Sequence, residues 1–476
     1  MSFNRTQISS FLLTFGLASV LAGCNGNNTG GTDFCGTVAQ FSKQLNEAIV
    51  PSTGVINSSA LQVQSERPTK LLVRLKKEQN GVVSSRAVKE KNLTQQLPNS
   101  IELELITEDL YSIRFENADD AERYAADLKL NPAVKLVEAD SKVYATFTPN
   151  DVMFSRQWQH QALQSSAAWD ITQGSENITV AVVDTGIDYN HEDLSANMWK
   201  NSKEIPNNGI DDDGNGFIDD VYGWNFINNS NQVISDDQYG HGTHVAGIIG
   251  AVANNSVGGA GVSPKVRLMA LKFLDSTGSG DTSNAVKGIY YAIKQGAKVI
   301  NASWGGTDPS DALQQAINDA RAAGVLVVVA AGNDGANNDT TASYPANNDN
   351  VFSVASTNCS DSMSSFSNYS ATKVHIGAPG EQIISTIINN QYGSLSGTSM
   401  ATPMVSGVAA LVLAAHPGLT PAQVQAQIMA NSDVIPALQG KVASNGRLNA
   451  YKVLKALAQA ANVMVLTPFR FLLASL

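Results

Sequence analysis

Hydrophobic positions along the chain follow two different rules. Ahead of residue 150 they mostly alternate: Lys70-Leu71-Leu72-Val73-Arg74-Leu75, Ile101-Glu102-Leu103-Glu104-Leu105 and Tyr111-Ser112-Ile113-Arg114-Phe115 each read as a strand with one apolar face. Between them and Asn131 the period lengthens, with Ala121, Tyr124, Ala125 and Leu128 at helical spacing, Asn117 and Asp119 placed to cap the start, and Asn131-Pro132 to end it. Ala133 to Glu138 and Lys142-Val143-Tyr144 predict two further short strands. The sum is a small α+β module of roughly 80 residues, a size at which a lone core is marginal.

Farther on the apolar runs become continuous. Ile178 to Val183 is unbroken but for Thr179 and ends in Asp184, as expected of a parallel strand buried on both faces that delivers an acid at its carboxyl end. Sites in open α/β sheets collect just outside those ends. Met404 to Ala415 is apolar nearly all round and predicts a buried helix with Ser399 at its N-terminal end, where backbone N–H groups and the helix dipole favour negative charge. The second part therefore predicts an α/β domain with a mostly parallel sheet.

Composition agrees with a turn-rich globular chain: 476 residues, 43% hydrophobic, 15% charged, 38 glycines. The net charge of −11 argues against nucleic acid as a partner, because phosphate binding needs concentrated Lys and Arg. Residues 1–147 hold 15 basic and 16 acidic side chains and the remainder 16 and 26, so nearly all of the deficit falls in the second part. Arg5 followed by the apolar stretch Phe11 to Ala22 reads as a secretory signal, too short to span a bilayer. Its ending, Leu21-Ala22-Gly23-Cys24, resembles the bacterial lipobox, which implies a lipid on Cys24 as the one membrane contact. Asn25 to Gly31 reads as a flexible tether. An exported chain can oxidise the remaining pair, Cys35 and Cys359, but their spacing leaves bonded and free thiols equally open.

Candidate bases are few, because the chain has six histidines. Two lie in His241-Gly242-Thr243-His244-Val245-Ala246-Gly247, at i and i+3, which lacks the His-Glu-x-x-His spacing of a zinc site. Gly393-Ser394-Leu395-Ser396-Gly397 places leucine where a nucleophile elbow needs serine, and no nucleotide-binding glycine motif is present.

Three strings then come into one frame. Val182-Val183-Asp184-Thr185-Gly186, His241-Gly242-Thr243-His244-Val245-Ala246-Gly247 and Gly397-Thr398-Ser399-Met400-Ala401-Thr402-Pro403 resemble, in order, the three signatures of the subtilisin-like serine proteases. Ala330-Ala331-Gly332-Asn333-Asp334-Gly335 resembles that family's oxyanion segment, and Asn301-Ala302-Ser303-Trp304-Gly305-Gly306 its substrate-binding strand. Met404 stands where the family often has histidine, away from the chemistry. The resemblance implies Asp184, His241 and Ser399 as a triad, Asn333 as oxyanion donor, and Ser303, Trp304 and Gly305 as the edge on which an extended peptide pairs, with Trp304 equally open to a packing role. Asn131 to Asp140 resembles the end of the family's inhibitor-type propeptides, and Phe147-Thr148-Pro149-Asn150-Asp151 the start of a thermitase-type mature chain. By the same resemblance the propeptide assists folding, occupies the cleft as an intramolecular inhibitor and is removed by self-cleavage between Tyr144 and Asn150.

Between the acid and the base lies an acidic loop. Asp211, Asp213, Asn215 and Gly216 match the calcium pattern Asp-x-[Asp/Asn]-x-[Asp/Asn]-Gly, the twelfth position being Tyr222 rather than glutamate. Asp219 and the Phe217 carbonyl are the further candidate ligands, and the crowding of Asp211, Asp212, Asp213, Asp219 and Asp220 favours a neutralising cation with a structural role.

The expected organisation is a lipoprotein signal at 1–23, a linker at 24–66, an inhibitory ferredoxin-like propeptide at 67–147, a subtilisin-like catalytic domain at 148–460 and an apolar tail at 461–476 too short to span a bilayer. The expected function is a secreted, monomeric serine endopeptidase acting on polypeptides; the alternative is a catalytically idle, calcium-stabilised surface binding protein on the same fold. Because Cys24 precedes the expected cut, maturation would release the protease from its anchor unless Cys35 and Cys359 are bonded.

Overall fold

The computed structural model describes residues 69–76, 90, 93, 97, 101–140 and 147–459. The expectations for the signal, Cys24, Cys35, the 24–66 linker, the Lys142-Val143-Tyr144 strand and the apolar tail fall outside these residues, while Cys359 is disulfide-bonded.

In the first part, β1 (Lys70–Leu75), β2 (Glu102–Thr107), β3 (Leu110–Arg114) and β4 (Val134–Ala139) form an antiparallel sheet in the order β2-β3-β1-β4, and α1 (Ala118–Leu130) links β3 to β4. Alternation decides which face is covered: Leu71, Val73 and Leu75 point inward from β1 and meet Tyr111, Ile113, Ala121 and Leu128. Asn117 caps the helix, its side chain accepting from Asp120 N at 2.9 Å.

The second part is built on a nine-stranded sheet in the order β14-β15-β11-β10-β9-β8-β5-β7-β6. Its central strands are β5 (Thr179–Asp184), β7 (Arg267–Lys272), β8 (Val299–Ala302), β9 (Leu326–Ala330) and β10 (Val351–Thr357). β6 (Gly223–Asn225) closes one edge, and β11 (Ile376–Pro379), β14 (Asp433–Val434) and β15 (Gly446–Arg447) the other, with only the β14–β15 pair antiparallel. β5, β9 and β10 are buried along their whole length, which requires helices on both faces.

Short helices α2 (Trp158–Leu163) and α3 (Ser165–Trp169) precede β5. One face of the sheet is covered by α5 (Thr282–Lys294) and α6 (Asp311–Ala322), whose Ala285, Ile289, Leu313 and Ile317 pack on Ala181, Val183, Val327 and Val329. The other carries α4 (His241–Gly250) and α7 (Thr398–Ala415), packed together, with α8 (Pro421–Ala430) beyond α7. A hairpin of β12 (Ile383–Ile387) and β13 (Gln391–Leu395) lies against α4. α7 is long and apolar enough to cross a membrane, but 83% of that window is buried, so it is a core helix.

Chain order fixes where the chemistry sits. From β5 the chain moves to β6 and β7 on one side, then returns to β8 on the other. This reversal opens a crevice at the carboxyl ends of β5 and β8, where Asp184 ends one strand and Ser303 follows the other.

Candidate active site

Asp184 is fully buried at the end of β5. Its Oδ1 accepts from Thr185 N at 2.7 Å and from His241 Nδ1 at 2.7 Å; Oδ2 is buried and accepts from none of the described residues. His241 opens α4, its backbone N–H donating to Asp237 Oδ2 at 2.8 Å. The next residue must be glycine, because a Cβ on Gly242 would stand 2.2 Å from the Gly186 carbonyl oxygen and 3.1 Å from Asp184 Cβ. Gly242 N donates instead to Thr185 Oγ1 at 3.0 Å, fastening the start of the helix to the turn after the acid.

The hydrogen bond to Asp184 places the proton on Nδ1 and leaves Nε2 as the basic nitrogen. Burial works against an imidazolium at His241, but the Asp184 charge and hydrogen bond, with Asp237 adding, prevail and raise its pKa above the ordinary value. His244 has the opposite fate. Its Nε2 donates to the Ile383 and Gly393 carbonyls at 3.0 and 3.2 Å, and burial pushes it down to about 3, so it is a neutral structural histidine.

Ser399 lies in the first turn of α7, its backbone N–H without an intrahelical acceptor. In this structure Ser399 Oγ donates to the Ser303 carbonyl at 3.0 Å rather than to His241. Asn333 Oδ1 accepts from both Thr398 N at 2.8 Å and Thr398 Oγ1 at 2.9 Å, which fixes the orientation of its exposed amide and leaves Nδ2 as the free donor near Gly397. Thr398 was not among the residues singled out by sequence, although its place beside Ser399 is a local signal for a capping hydroxyl.

Of the expected substrate edge, Ser303 is buried and Gly305 exposed. Trp304 Nε1 donates to the Val183 carbonyl at 2.9 Å, and its ring meets Phe273 edge-on at 4.9 Å. The indole is thus turned onto the core, the packing role that the sequence left open. Gly306 and Tyr344 exchange two backbone hydrogen bonds of 2.8 Å, so the edge continues into an antiparallel bridge.

The acidic loop closes on itself differently from the motif register. Carboxylate oxygens of Glu204, Asp211 and Asp213 lie within 4.8 Å of one another. The donor set is all oxygen and all anionic, which suits a hard cation such as Ca²⁺. Asp219, one of the expected ligands, lies outside this trio, and its two oxygens accept from Asn208 N at 3.1 Å and Gly209 N at 2.9 Å. Asn215 Oδ1 accepts from Phe217 N at 2.7 Å, and the Phe217 ring packs against Trp224 and Tyr291. Glu204 was missed; its one signal is burial, which raises its carboxyl pKa and which sequence does not display.

A second acidic pocket was also missed. Asp151 accepts from Asn254 N and Asn255 N, and Asp193 from Asn255 Nδ2 and Gly259 N. Both carboxylates are buried, and burial, with the Asp151 charge adding, pushes Asp193 up to about 7. Asn254 lies 103 positions after Asp151 and Asn255 62 positions after Asp193, so no local string announces them.

The Subtilase family pattern matches residues 175–453. Thermitase of Thermoactinomyces vulgaris is 43% identical over 310 residues, covering 65% of this chain and all of the relative. A thermophilic serine proteinase of a Bacillus species is 35% identical over 405 residues, covering 84% of this chain and 90% of the relative. Among solved structures, a protease from Pseudoalteromonas arctica superposes with a TM-score of 0.55 at 34% identity, covering 65% of this chain and 99% of the other.

Proposed function

The chain belongs to the subtilase family and is a serine endopeptidase, and we propose that Asp184, His241 and Ser399 carry its chemistry. The observation that supports this most directly is the 2.7 Å bond from His241 Nδ1 to the buried Asp184, at the strand-end crevice beside which Ser399 begins a helix. Ser399 Oγ turns from the Ser303 carbonyl to His241 Nε2, loses its proton there and attacks the scissile carbonyl. Asp184 holds the tautomer and stabilises the imidazolium, while Asn333 Nδ2 and Ser399 N receive the oxyanion. His241 then returns the proton to the leaving amine, and water resolves the acyl-enzyme by the same route. The idle binding-protein reading gains nothing from this geometry.

The remaining parts of the proposal are coarser in support. Residues 67–147 act as an intramolecular inhibitor removed by self-cleavage, supported by the α+β module over 70–139 and by an alignment of 405 residues that reaches well ahead of residue 147. The precursor is exported and lipidated on Cys24, supported by the N-terminal string alone, and works as a monomer on polypeptides. Calcium is held by Glu204, Asp211 and Asp213 in a structural role.

The deciding experiment compares casein hydrolysis by the full-length chain and by Ser399→Ala, with propeptide removal followed on the same gel. Loss of both is expected. Hydrolysis surviving in the variant would remove Ser399 as nucleophile, and processing surviving would remove the self-cleavage step.

A further inference from the structure

Lys272 is the last residue of β7 and the register partner of Asp184 on β5. Its side chain is only 3% exposed. An ammonium taken out of water is tolerated when every proton finds an acceptor and the charge a counter-charge. Here both conditions are met: Nζ donates to the Thr185 carbonyl at 2.8 Å, the Leu274 carbonyl at 2.8 Å and Asp236 Oδ1 at 2.7 Å. The hydrolytic steps above make no use of it.

The acceptors explain the placement. Thr185 follows Asp184, gives its N–H to Asp184 Oδ1 and receives the Gly242 N–H on Oγ1. Asp236 precedes Asp237, whose carboxylate receives the His241 N–H. One buried cation therefore joins the turn behind the acid to the segment ahead of the base while touching neither catalytic side chain. We propose that Lys272, held by Asp236, is a positioning residue that keeps Asp184 and His241 in register and supplies the one buried positive charge among the described groups around that pair. This role presupposes the catalytic reading of Asp184, His241 and Ser399.

The charges facing His241 can be named element by element. Asp184 at the end of β5 and Asp237 ahead of α4 act on it directly, and Lys272 of β7 and Asp236 are joined to the same two segments, Lys272 through the Thr185 carbonyl and Asp236 through its neighbour Asp237. His244 on its own helix is neutral, and neither α7 nor β12, both packed on α4, carries a titratable side chain. Removing Lys272 leaves the acids uncompensated and favours the imidazolium; removing the Asp236 charge does the reverse.

The test uses Lys272→Met, Lys272→Arg and Asp236→Asn in the full-length chain, with active-site titration and kcat and KM measured against pH. Lys272→Met is expected to lose at least about tenfold in kcat with KM within about twofold, and to move the acid limb to higher pH. Lys272→Arg is expected to recover part of the kcat. Asp236→Asn alters a side chain that is 59% exposed and keeps an oxygen to accept from Nζ; it is expected to move the acid limb to lower pH, with thermal unfolding measured beside the kinetics so that any loss of stability is read apart from the limb. Variants that keep kcat and leave the acid limb in place overturn the proposal; if Lys272→Met does not fold, an unmoved limb in Asp236→Asn overturns it alone. Ser399→Ala run beside them separates the two readings, because activity surviving there strikes the triad and not merely Lys272.

Discussion

Ser303 and Ser399 exchange hydrogen bonds: Ser303 Oγ donates to the Ser399 carbonyl at 2.9 Å, and Ser399 Oγ donates to the Ser303 carbonyl at 3.0 Å. The first of these bonds has a cause in the helix itself. Ser399 O would ordinarily receive the N–H four residues on, but that residue is Pro403, which has none. Ser303 fills the place, and is itself held by Asn301 Nδ2 at 2.9 Å, whose Oδ1 receives Ser406 Oγ at 2.8 Å. A chain of polar side chains thus runs from the interior of α7 back to Ser399, the proposed nucleophile that the same helix carries.

Replacing Ser303 by alanine leaves the Ser399 carbonyl without its side-chain partner in a half-buried setting. The expected cost is about 1–3 kcal/mol. Part of it falls on global stability and part on the placement of Ser399, so kcat is expected to drop about tenfold with a lowered Tm. Steady-state kinetics and thermal unfolding of Ser303→Ala check both; an unchanged kcat would mean that the helix start is held by other contacts.

Asn333 is oriented by two bonds from Thr398, which is why its amide nitrogen is the donor left for an oxyanion. Asn333→Ala is expected to lower kcat by about two to three orders of magnitude with little change in KM, a loss of about 3–4 kcal/mol that is known from subtilisin, a member of this family. Thr398→Val keeps Asn333 but removes the hydroxyl that helps to fix it, so a smaller loss in kcat is expected. A raised KM with kcat unchanged would assign Asn333 to ground-state binding instead.

The pH profile follows from the groups around His241. Its pKa is raised, burial opposing and the charges of Asp184 and Asp237 prevailing, and the neutral ring is the active form. Activity should therefore fall on acidification at a pH above the 6.5 of an ordinary imidazole. The same shift makes the folded state bind its proton more tightly than the unfolded one. That contribution to stability is present in full below pH 6.5 and is lost as pH rises through the higher folded value. Asp237→Asn retains an oxygen for the His241 N–H but removes a charge, so the acid limb of kcat/KM is expected to move down. A limb that stays in place would show that the Asp237 charge plays no part in setting it.

The elements that carry the proposed triad were legible because each of its members sits in a contiguous string that builds its own local structure. Val180 to Asp184 is a strand that ends at its acid, Gly242 permits the close approach of helix to strand, and Thr398 to Ala415 is a helix whose start bears the serine. What stayed hidden depends on partners remote in sequence. Trp304 stays open between a peptide-binding edge and a packing role until its N–H is seen on the Val183 carbonyl, 121 positions away. Lys272 at the end of an apolar run reads as the first solvent-facing residue, whereas it is buried because Asp236 and two carbonyls receive it. In the acidic loop the motif points to Asp211 and Asp213 but not to Glu204, which lies ahead of it in the chain and meets both only in the fold, while Asp219 adopts a positive φ of 55° and receives the amides of Asn208 and Gly209.

That difference gives the loop a sharp test. If Glu204, Asp211 and Asp213 hold calcium, chelation removes a ligand that binds only the folded state. At a free concentration a hundredfold above Kd the stabilisation lost is about 2.7 kcal/mol. For a domain of this size that is a Tm decrease of roughly 4 °C. Glu204→Gln and Asp211→Asn are expected to abolish most of the calcium-dependent increment. Asp219→Asn is expected to retain it, although the loop it braces loses some stability with or without the ion. Calcium titration calorimetry on the three variants, with unfolding measured in calcium and in chelator, separates the two ligand sets. An increment lost in Asp219→Asn but kept in Glu204→Gln would restore the motif register and exclude the arrangement seen here.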